Sequence, residues 1–327
     1  MEIGKDFLYL TRKDVETVNI PMSEIIDILE EAFVEKYHGR VEMPPKPGIH
    51  PVEDAYIHAM PCWVPKHKAA GIKWVSGYPE NQKKGLPYNA GFIVMNDPDT
   101  GLPLSVMDCT WVTTMRTGGV TGLSAKFLAN PDSEVVGILG CGVQGRSNLE
   151  ALAVACKNLK RVYAFDIYPE IAQKYAEEQG AKYKLEIIPV KTQKEAVQDS
   201  DIIVTAGPIK HNPDRAIEGA WLKKGVFLAP VDFDCMYMPS VIEEYCARCF
   251  VDDLGQYQGF KKMGYFPYGP EALPEICTVF AGKVKGRENR DEKVAAANIG
   301  MALDDMPVAI KIFETAKARG LGTVLPL

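Results

Sequence analysis

Apolar positions change their period along this 327-residue chain. Between residues 21 and 35, Ile25, Ile28, Leu29, Ala32 and Phe33 recur at the i, i+3, i+4, i+7, i+8 spacing of one helical face. That pattern predicts an amphipathic helix. Short strand-like runs follow at 55–60, 71–75, 91–96 and 104–108, separated by turns such as Asp97-Pro98-Asp99-Thr100-Gly101. Strands in succession, with no helix between them, predict an antiparallel or mixed sheet. Residues 113–129 read as a helix. From residue 134 the pattern becomes an alternation. Apolar runs at 135–139, 162–165, 185–190, 202–206, 226–229 and 249–251 are interleaved with helical segments, one of them opened by the capping-box pair Thr192 and Glu195. Such alternation predicts a doubly wound parallel sheet. The tail, from about 305 to 319, reads as a helix ending at Gly320, with Pro307 acceptable only in its first turn or at a kink. No internal repeat or low-complexity tract interrupts the chain.

The length suits about two domains. The composition, 46% hydrophobic and 24% charged, is that of an ordinary globular protein. A formal net charge of −6 argues against nucleic acid as a partner, because phosphate recognition needs a basic surface. No run approaches the ~18 apolar residues of a membrane span. The start, Met1-Glu2-Ile3-Gly4-Lys5-Asp6, is polar and is followed by no signal-peptide core, so a cytoplasmic protein with no membrane partner is expected. The eight cysteines are scattered and read as reduced thiols. Cys246-Ala247-Arg248-Cys249 is a lone CxxC without further ligands nearby, so it reads as structural and no metal is expected.

The strongest chemical signal is Gly140-Cys141-Gly142-Val143-Gln144-Gly145, a GxGxxG at the end of an apolar run and at the start of a helical stretch, 146–156. Gly140 allows a tight turn, Gly142 lets the backbone approach a pyrophosphate, and Gly145 lets helix and strand pack closely. The helix N-terminus then offers N–H groups and a positive dipole end to phosphate. The next run ends in Asp166, 21 residues after Gly145, where a carboxylate accepts hydrogen bonds from the adenosine ribose. Ile167-Tyr168-Pro169-Glu170 supplies no arginine for a 2′-phosphate, so NAD is favoured over NADP.

Other candidates carry weaker signals. Lys73 lies in the middle of Gly71-Ile72-Lys73-Trp74-Val75; on composition alone it reads as the solvated face of a half-buried strand, and otherwise as an anion-binding or catalytic lysine. Arg116, in Thr113-Thr114-Met115-Arg116-Thr117-Gly118-Gly119, reads as standing near a helix start, where a cation gains nothing from the dipole and an anionic partner would explain it. A close approach of backbone or cofactor would explain the two glycines. Asp232 and Asp234 follow the run 226–229, at the carboxyl end of a parallel strand, where either could exchange protons. His58 shares a strand face with Tyr56 and Met60. The clusters Lys66-His67-Lys68 and Lys83-Lys84 read as solvated turns.

Together, Gly71-Ile72-Lys73-Trp74-Val75, the stretches 81–87 and 97–103, Arg116-Thr117, the Gly140-Cys141-Gly142-Val143-Gln144 turn and Asn298-Ile299-Gly300 make the chain resemble the ornithine cyclodeaminase/mu-crystallin family over nearly its whole length. The resemblance implies an α/β protein in which a Rossmann-type domain, 126–302, is inserted into an α+β substrate-binding and dimerisation domain, 1–125 plus 303–327. It implies that Lys73 and Arg116 hold a substrate carboxylate and that Asp234 is the catalytic aspartate. Gly140, Gly142, Val143, Gln144, Gly145, Asp166 and Ala206 would bind the cofactor. Arg116 and Asn298 would also face it, with Ile299 beside the substrate. Four departures stand out. Lys46 replaces the family's usual arginine and lacks its bidentate fork. His58 stands where ornithine-specific members carry a glutamate, which removes the partner of a δ-ammonium group. Met238 replaces a lysine of some members, and Gly118-Gly119 replace a commoner Ala-Ala. The expectation is a homodimeric NAD(H)-dependent oxidoreductase acting on a small amino or imino acid. The alternatives are a cyclodeaminase that recycles its NAD and a non-catalytic nucleotide-binding protein.

Overall fold

The computed structural model describes residues 2–245 and 248–327, so Cys246 and Ala247 of the CxxC lie outside the described residues. The chain divides into two compact units, Met1–Arg116 with Gly300–Leu327, and Thr117–Ile299.

The first unit is built on strands β1 (Asp6–Leu10), β2 (Gly48–Ile49), β3 (Tyr56–Val64), β4 (Ala69–Gly77), β5 (Asn89–Asn96) and β6 (Pro103–Asp108), joined by the C-terminal strand Thr323–Pro326. Among the described residues these form one seven-stranded sheet in the order C-terminal strand, β1, β6, β5, β4, β3, β2. Neighbours are antiparallel except β1 and β6, so the sheet is mixed, as the unbroken succession of strands predicts. One face is covered by helices. Helix Ala302–Arg319 crosses β3, β4 and β5, and helix Met22–Tyr37 packs on it with Ile25, Leu29, Ala32 and Phe33 buried and Ile28 at the margin. The C-terminal helix ends as expected at Gly320 in the left-handed region. Pro307 is not in the first turn. It is the sixth helical residue, and the packed apolar surroundings hold the helix there despite the missing N–H. Strand β1 and the C-terminal strand were not legible in the apolar pattern.

Helix Thr110–Leu128 carries the chain into the second unit. There β7 (Val135–Leu139), β8 (Arg161–Phe165), β9 (Glu186–Pro189), β10 (Ile202–Thr205), β11 (Phe227–Pro230), β12 (Cys249–Val251) and β13 (Val294–Ala297) form an all-parallel sheet in the order β12-β13-β11-β10-β7-β8-β9. Chain order runs outward from β7 through β8 and β9 on one side and through β10 and β11 on the other, with β13 then inserted between β11 and β12; this is the doubly wound arrangement with its switch point between β7 and β10. β10, β11 and β13 are buried along their whole length, as central parallel strands covered on both faces must be. At Thr192 the capping box is half formed. Its hydroxyl accepts the Glu195 N–H (3.2 Å), but the Glu195 carboxylate reaches one residue further back, to the Lys191 N–H (2.8 Å). Among the described residues no helix is long and apolar enough to cross a membrane.

Candidate functional site

In the first unit the alternation of β4 turns residues 71, 73 and 75 towards the helix layer. Lys73, opposite Met60 on β3 and Ile93 on β5, is therefore only 1% exposed, and the solvated-face reading is overturned. Its Nζ lies 2.6 Å from Asp305 Oδ2. Arg116 is not at a helix start, since its helix begins at Thr110. It stands two turns in, where the side chain reaches the N-terminus of the C-terminal helix. Its Nη1 donates to Asp304 Oδ2 (3.1 Å), and its Nε lies 3.1 Å from Asp305 Oδ1. Asp304 also accepts the Met301 N–H (2.9 Å), which caps the helix it opens. Two cations and two carboxylates are thus buried as a quartet. Isolated, each would be prohibitively costly; together they neutralise one another. Burial pushes the Asp304 carboxyl up to about 6, against the pull of Arg116. It pushes the Lys73 ammonium down, with Asp305 as the main opposing charge.

Lys46 and His58 join the same cluster. Lys46 Nζ donates to the Gly300 carbonyl (3.0 Å). Gly300 has φ +88°, and a Cβ there would fall 2.7 Å from Arg116 Nη1, so only glycine lets the guanidinium lie against this turn. The His58 ring stacks on Tyr56 with centroids 4.3 Å apart and is nearly buried. Burial, then Lys46, His50 and Lys73, lower its pKa to about 3, so the ring is neutral. The four residues singled out in this part of the sequence are therefore brought together. Asp304 and Asp305 were missed. The available hint was slight: two acids interrupt an otherwise apolar run, Ala302 to Ile310, that the fold buries throughout.

In the second unit the glycine turn connects β7 to helix Val143–Ala155. Gly140 has φ +100°, and a Cβ there would meet the Ala206 carbonyl oxygen at 2.6 Å. A Cβ on Gly145 would meet the Gly140 carbonyl at 2.1 Å. Gly142 caps the helix without a side-chain hydrogen bond and has open space where its Cβ would be. That leaves an uncapped helix N-terminus behind an open cradle, which fits a pyrophosphate. Val143 beside it is 61% exposed. Gln144 is half-buried, and its side chain accepts from the Ser147 hydroxyl (3.3 Å). Gly118 sits against the backbone of the same helix, its absent Cβ leaving 2.3 Å to the Ser147 carbonyl, so a close backbone approach explains this glycine. Asp166 closes β8. Its Oδ2 accepts the Cys141 N–H (2.9 Å) and its Oδ1 the Tyr168 N–H (3.1 Å). Asn298 donates to Ser124 Oγ (3.1 Å), while its buried Oδ1 meets no hydrogen-bond donor among the described residues, an acceptor suited to a ligand amide. Ile299 belongs to the buried apolar cluster that also holds Phe233 and Val251.

The two aspartates after β11 behave differently. Asp232 is fully buried and accepts from Thr205 Oγ1 (2.5 Å) and the Gly207 N–H (3.3 Å), tying the loop after β10 to the one after β11. Burial raises its pKa to about 7 against those donors. Asp234 Oδ2 lies 3.2 Å from Arg215 Nη2, and Arg215 Nη1 donates to the Asp234 and Tyr237 carbonyls. Burial raises the Asp234 pKa, with Arg215 opposing. Arg215, which nothing in the local pattern distinguished, thus fixes Asp234 in place.

A doubly wound sheet with a glycine-rich first turn, inserted in a mixed-sheet unit that buries paired lysine and arginine, defines a two-unit α/β protein of the dinucleotide-binding class. The chain matches the ornithine cyclodeaminase/mu-crystallin family over residues 6–320, and it belongs to that family. It is 33% identical to the nodulation efficiency protein NfeD of Rhizobium meliloti, over 97% of this chain and 98% of that one. The structure of Thermococcus litoralis Δ1-pyrroline-2-carboxylate reductase in complex with NADH and L-proline superposes with a TM-score of 0.87 at 34% identity, covering 97% and 99% of the two chains. An archaeal alanine dehydrogenase dimer with bound NAD superposes with a TM-score of 0.86 at 29% identity, covering 98% and 99%.

Proposed function

We propose that this protein is an NAD(H)-dependent oxidoreductase that interconverts a small amino acid with its imino or keto acid. The observation that carries the reading is the pairing, in one chain, of an open glycine cradle with a buried Lys73–Arg116 cluster. The second unit is the dinucleotide-binding domain. The turn at Gly140, Gly142 and Gly145, with Val143 and Gln144, would hold the pyrophosphate, Asp166 the adenosine ribose, and Asn298 the nicotinamide amide. When bound, the cofactor supplies hydride transfer at the substrate α-carbon. The first unit is the substrate domain. Lys73 and Arg116, with Lys46, bind the substrate carboxylate, and fixing that group orients the α-carbon. Asp234 exchanges a proton with the substrate nitrogen. Burial raises its pKa above that of a free carboxyl, which favours the protonated form that a proton-exchanging group must also visit. Support comes from relatives whose described ligands are NAD, NADH and L-proline.

We further propose a homodimer formed through the uncovered face of the first unit's sheet. That face carries the cross-strand rows Ala59–Trp74–Phe92 and Pro61–Ile72–Val94–Val106, with Trp74 49% and Phe92 45% exposed. A sheet face this apolar calls for cover. The described relative is a dimer, which favours a second copy as the cover.

The test is a panel of amino acids with NAD and of imino acids with NADH, followed by NADH absorbance. Net change in absorbance with a small neutral substrate supports an oxidoreductase. Turnover of ornithine with no net change would assign a cyclodeaminase instead, and tight NADH binding with no turnover a binding protein. Asp234→Asn should keep NADH affinity and lower turnover by about 100- to 10,000-fold. A loss under about threefold would remove Asp234 from the chemistry.

A further inference from the structure

We propose that Asp305 is a positioning residue for the substrate-carboxylate site: a buried anion that spaces Lys73 and Arg116 and balances their charge while the site is empty. The inference rests on the reading above, in which those two cations receive a carboxylate. Asp305 lies against both, at 2.6 Å from Lys73 Nζ and 3.1 Å from Arg116 Nε. Asp304 does not substitute for it, because its hydrogen bonds go to Arg116 Nη1 and the Met301 N–H. Asp305 is fully buried, so water cannot take over its role.

The physical need is specific to Lys73. An arginine stays charged wherever it is placed, but a buried lysine sheds its proton unless an anion is close. The other titratable groups around Lys73 do not supply that anion. His58 is neutral, Tyr56, Cys62 and Cys109 are pushed by burial towards their neutral forms, and Arg116 repels the ammonium. Asp304 is the remaining carboxylate, and it is engaged with Arg116. Asp305 therefore holds the lysine in the charged form that a carboxylate ligand requires.

The experiment compares wild type, Asp305→Asn and Asp305→Glu as full-length protein, with L-proline and L-alanine as probes. Binding, KM and kcat are measured from about pH 6 to 10, below the ordinary lysine pKa, because burial lowers that of Lys73. NADH affinity serves as the control for folding. In Asp305→Asn, KM should rise at least about tenfold on the alkaline side, and the rise should shrink as pH falls and Lys73 regains its proton. NADH affinity should not change. Asp305→Glu keeps the charge but displaces it, so KM should rise without the added pH dependence. It carries the test should the asparagine variant fail to bind NADH, and an unchanged KM in it then overturns the inference. A wild type that binds and turns over a probe, beside an Asp305→Asn whose KM and pH profile match it, overturns the positioning role alone. A wild type that neither binds nor turns over either probe overturns the reading and the inference together.

Discussion

Asp166 holds the Cys141 and Tyr168 amides while standing where the adenosine ribose would be met, so replacing it removes a brace as well as a selector. The two hydrogen bonds are not equal. Tyr168 is 55% exposed, and water can replace the lost acceptor there. Cys141 is fully buried, and its N–H has no substitute. Hydrogen bonds to a charged acceptor contribute about 1.5–3 kcal/mol each, so losing the inner one corresponds to about 10–150-fold in cofactor affinity if the turn must re-form to bind. Asp166→Ala should weaken NADH by that factor or more. Asp166→Asn keeps a neutral acceptor for the Cys141 amide and should recover part of the loss. Asp166→Ser with Ile167→Arg should gain NADPH affinity over wild type but fall short of wild-type affinity for NADH, because the new arginine does not rebuild the brace. Fluorescence titration with both cofactors measures the affinities, and hydrogen exchange at Cys141 measures the turn directly. Asp166→Ala with NADH affinity within about threefold of wild type and unchanged exchange at Cys141 would refute the brace. So would a double variant that binds NADPH as tightly as wild type binds NADH.

Two further outcomes follow from the same geometry. Trp74→Glu with Phe92→Glu puts charge on the apolar sheet face and should convert the sedimenting species to the 36.1 kDa monomer, whereas an unchanged sedimentation profile would place the contact elsewhere. Asp232 has a pKa of about 7 in the fold against 3.8 as a free carboxyl, so the folded chain keeps a proton that the unfolded chain releases, and its contribution to stability falls as pH rises through that window. Asp232→Asn should flatten this part of the pH dependence of thermal unfolding, and an equally steep dependence in the variant would show that other groups produce it.

The parts of this fold that were legible in the sequence are those specified by neighbouring residues. The turn at Gly140 to Gly145 needs particular backbone angles and close approaches within a few residues, and only glycine meets them, so the pattern and the structure coincide. β13 was not legible. Val294-Ala295-Ala296-Ala297 is a weak strand former, and it is a strand because it is slotted between β11 and β12. β1 and the C-terminal strand pair with each other from opposite ends of the chain, so no local pattern could announce them. Arg116 and Asp304 are separated by 188 positions, and Asp304 and Asp305 read locally as ordinary acids in a helix's first turn. Their role is defined by the cations they meet.

Lys73 failed for a more informative reason. A half-buried strand should alternate, and a polar residue in it should lie on the wet face. In β4 the outward positions Ile72 and Trp74 are themselves apolar, so alternation is erased and the one charged residue looks like the marker of the solvent side. The structure reverses that assignment. The lysine is inside because Asp305 waits for it there, and the apolar residues are outside. A strand that spends apolar side chains on its open face while burying its only charge makes sense if the open face is covered in the working protein and the buried charge serves a ligand. The misreading of Lys73 and the exposed row through Trp74 and Phe92 thus have a common origin. On the proposed reading they describe one sheet, with its buried charge under the helices and its apolar row on the opposite face.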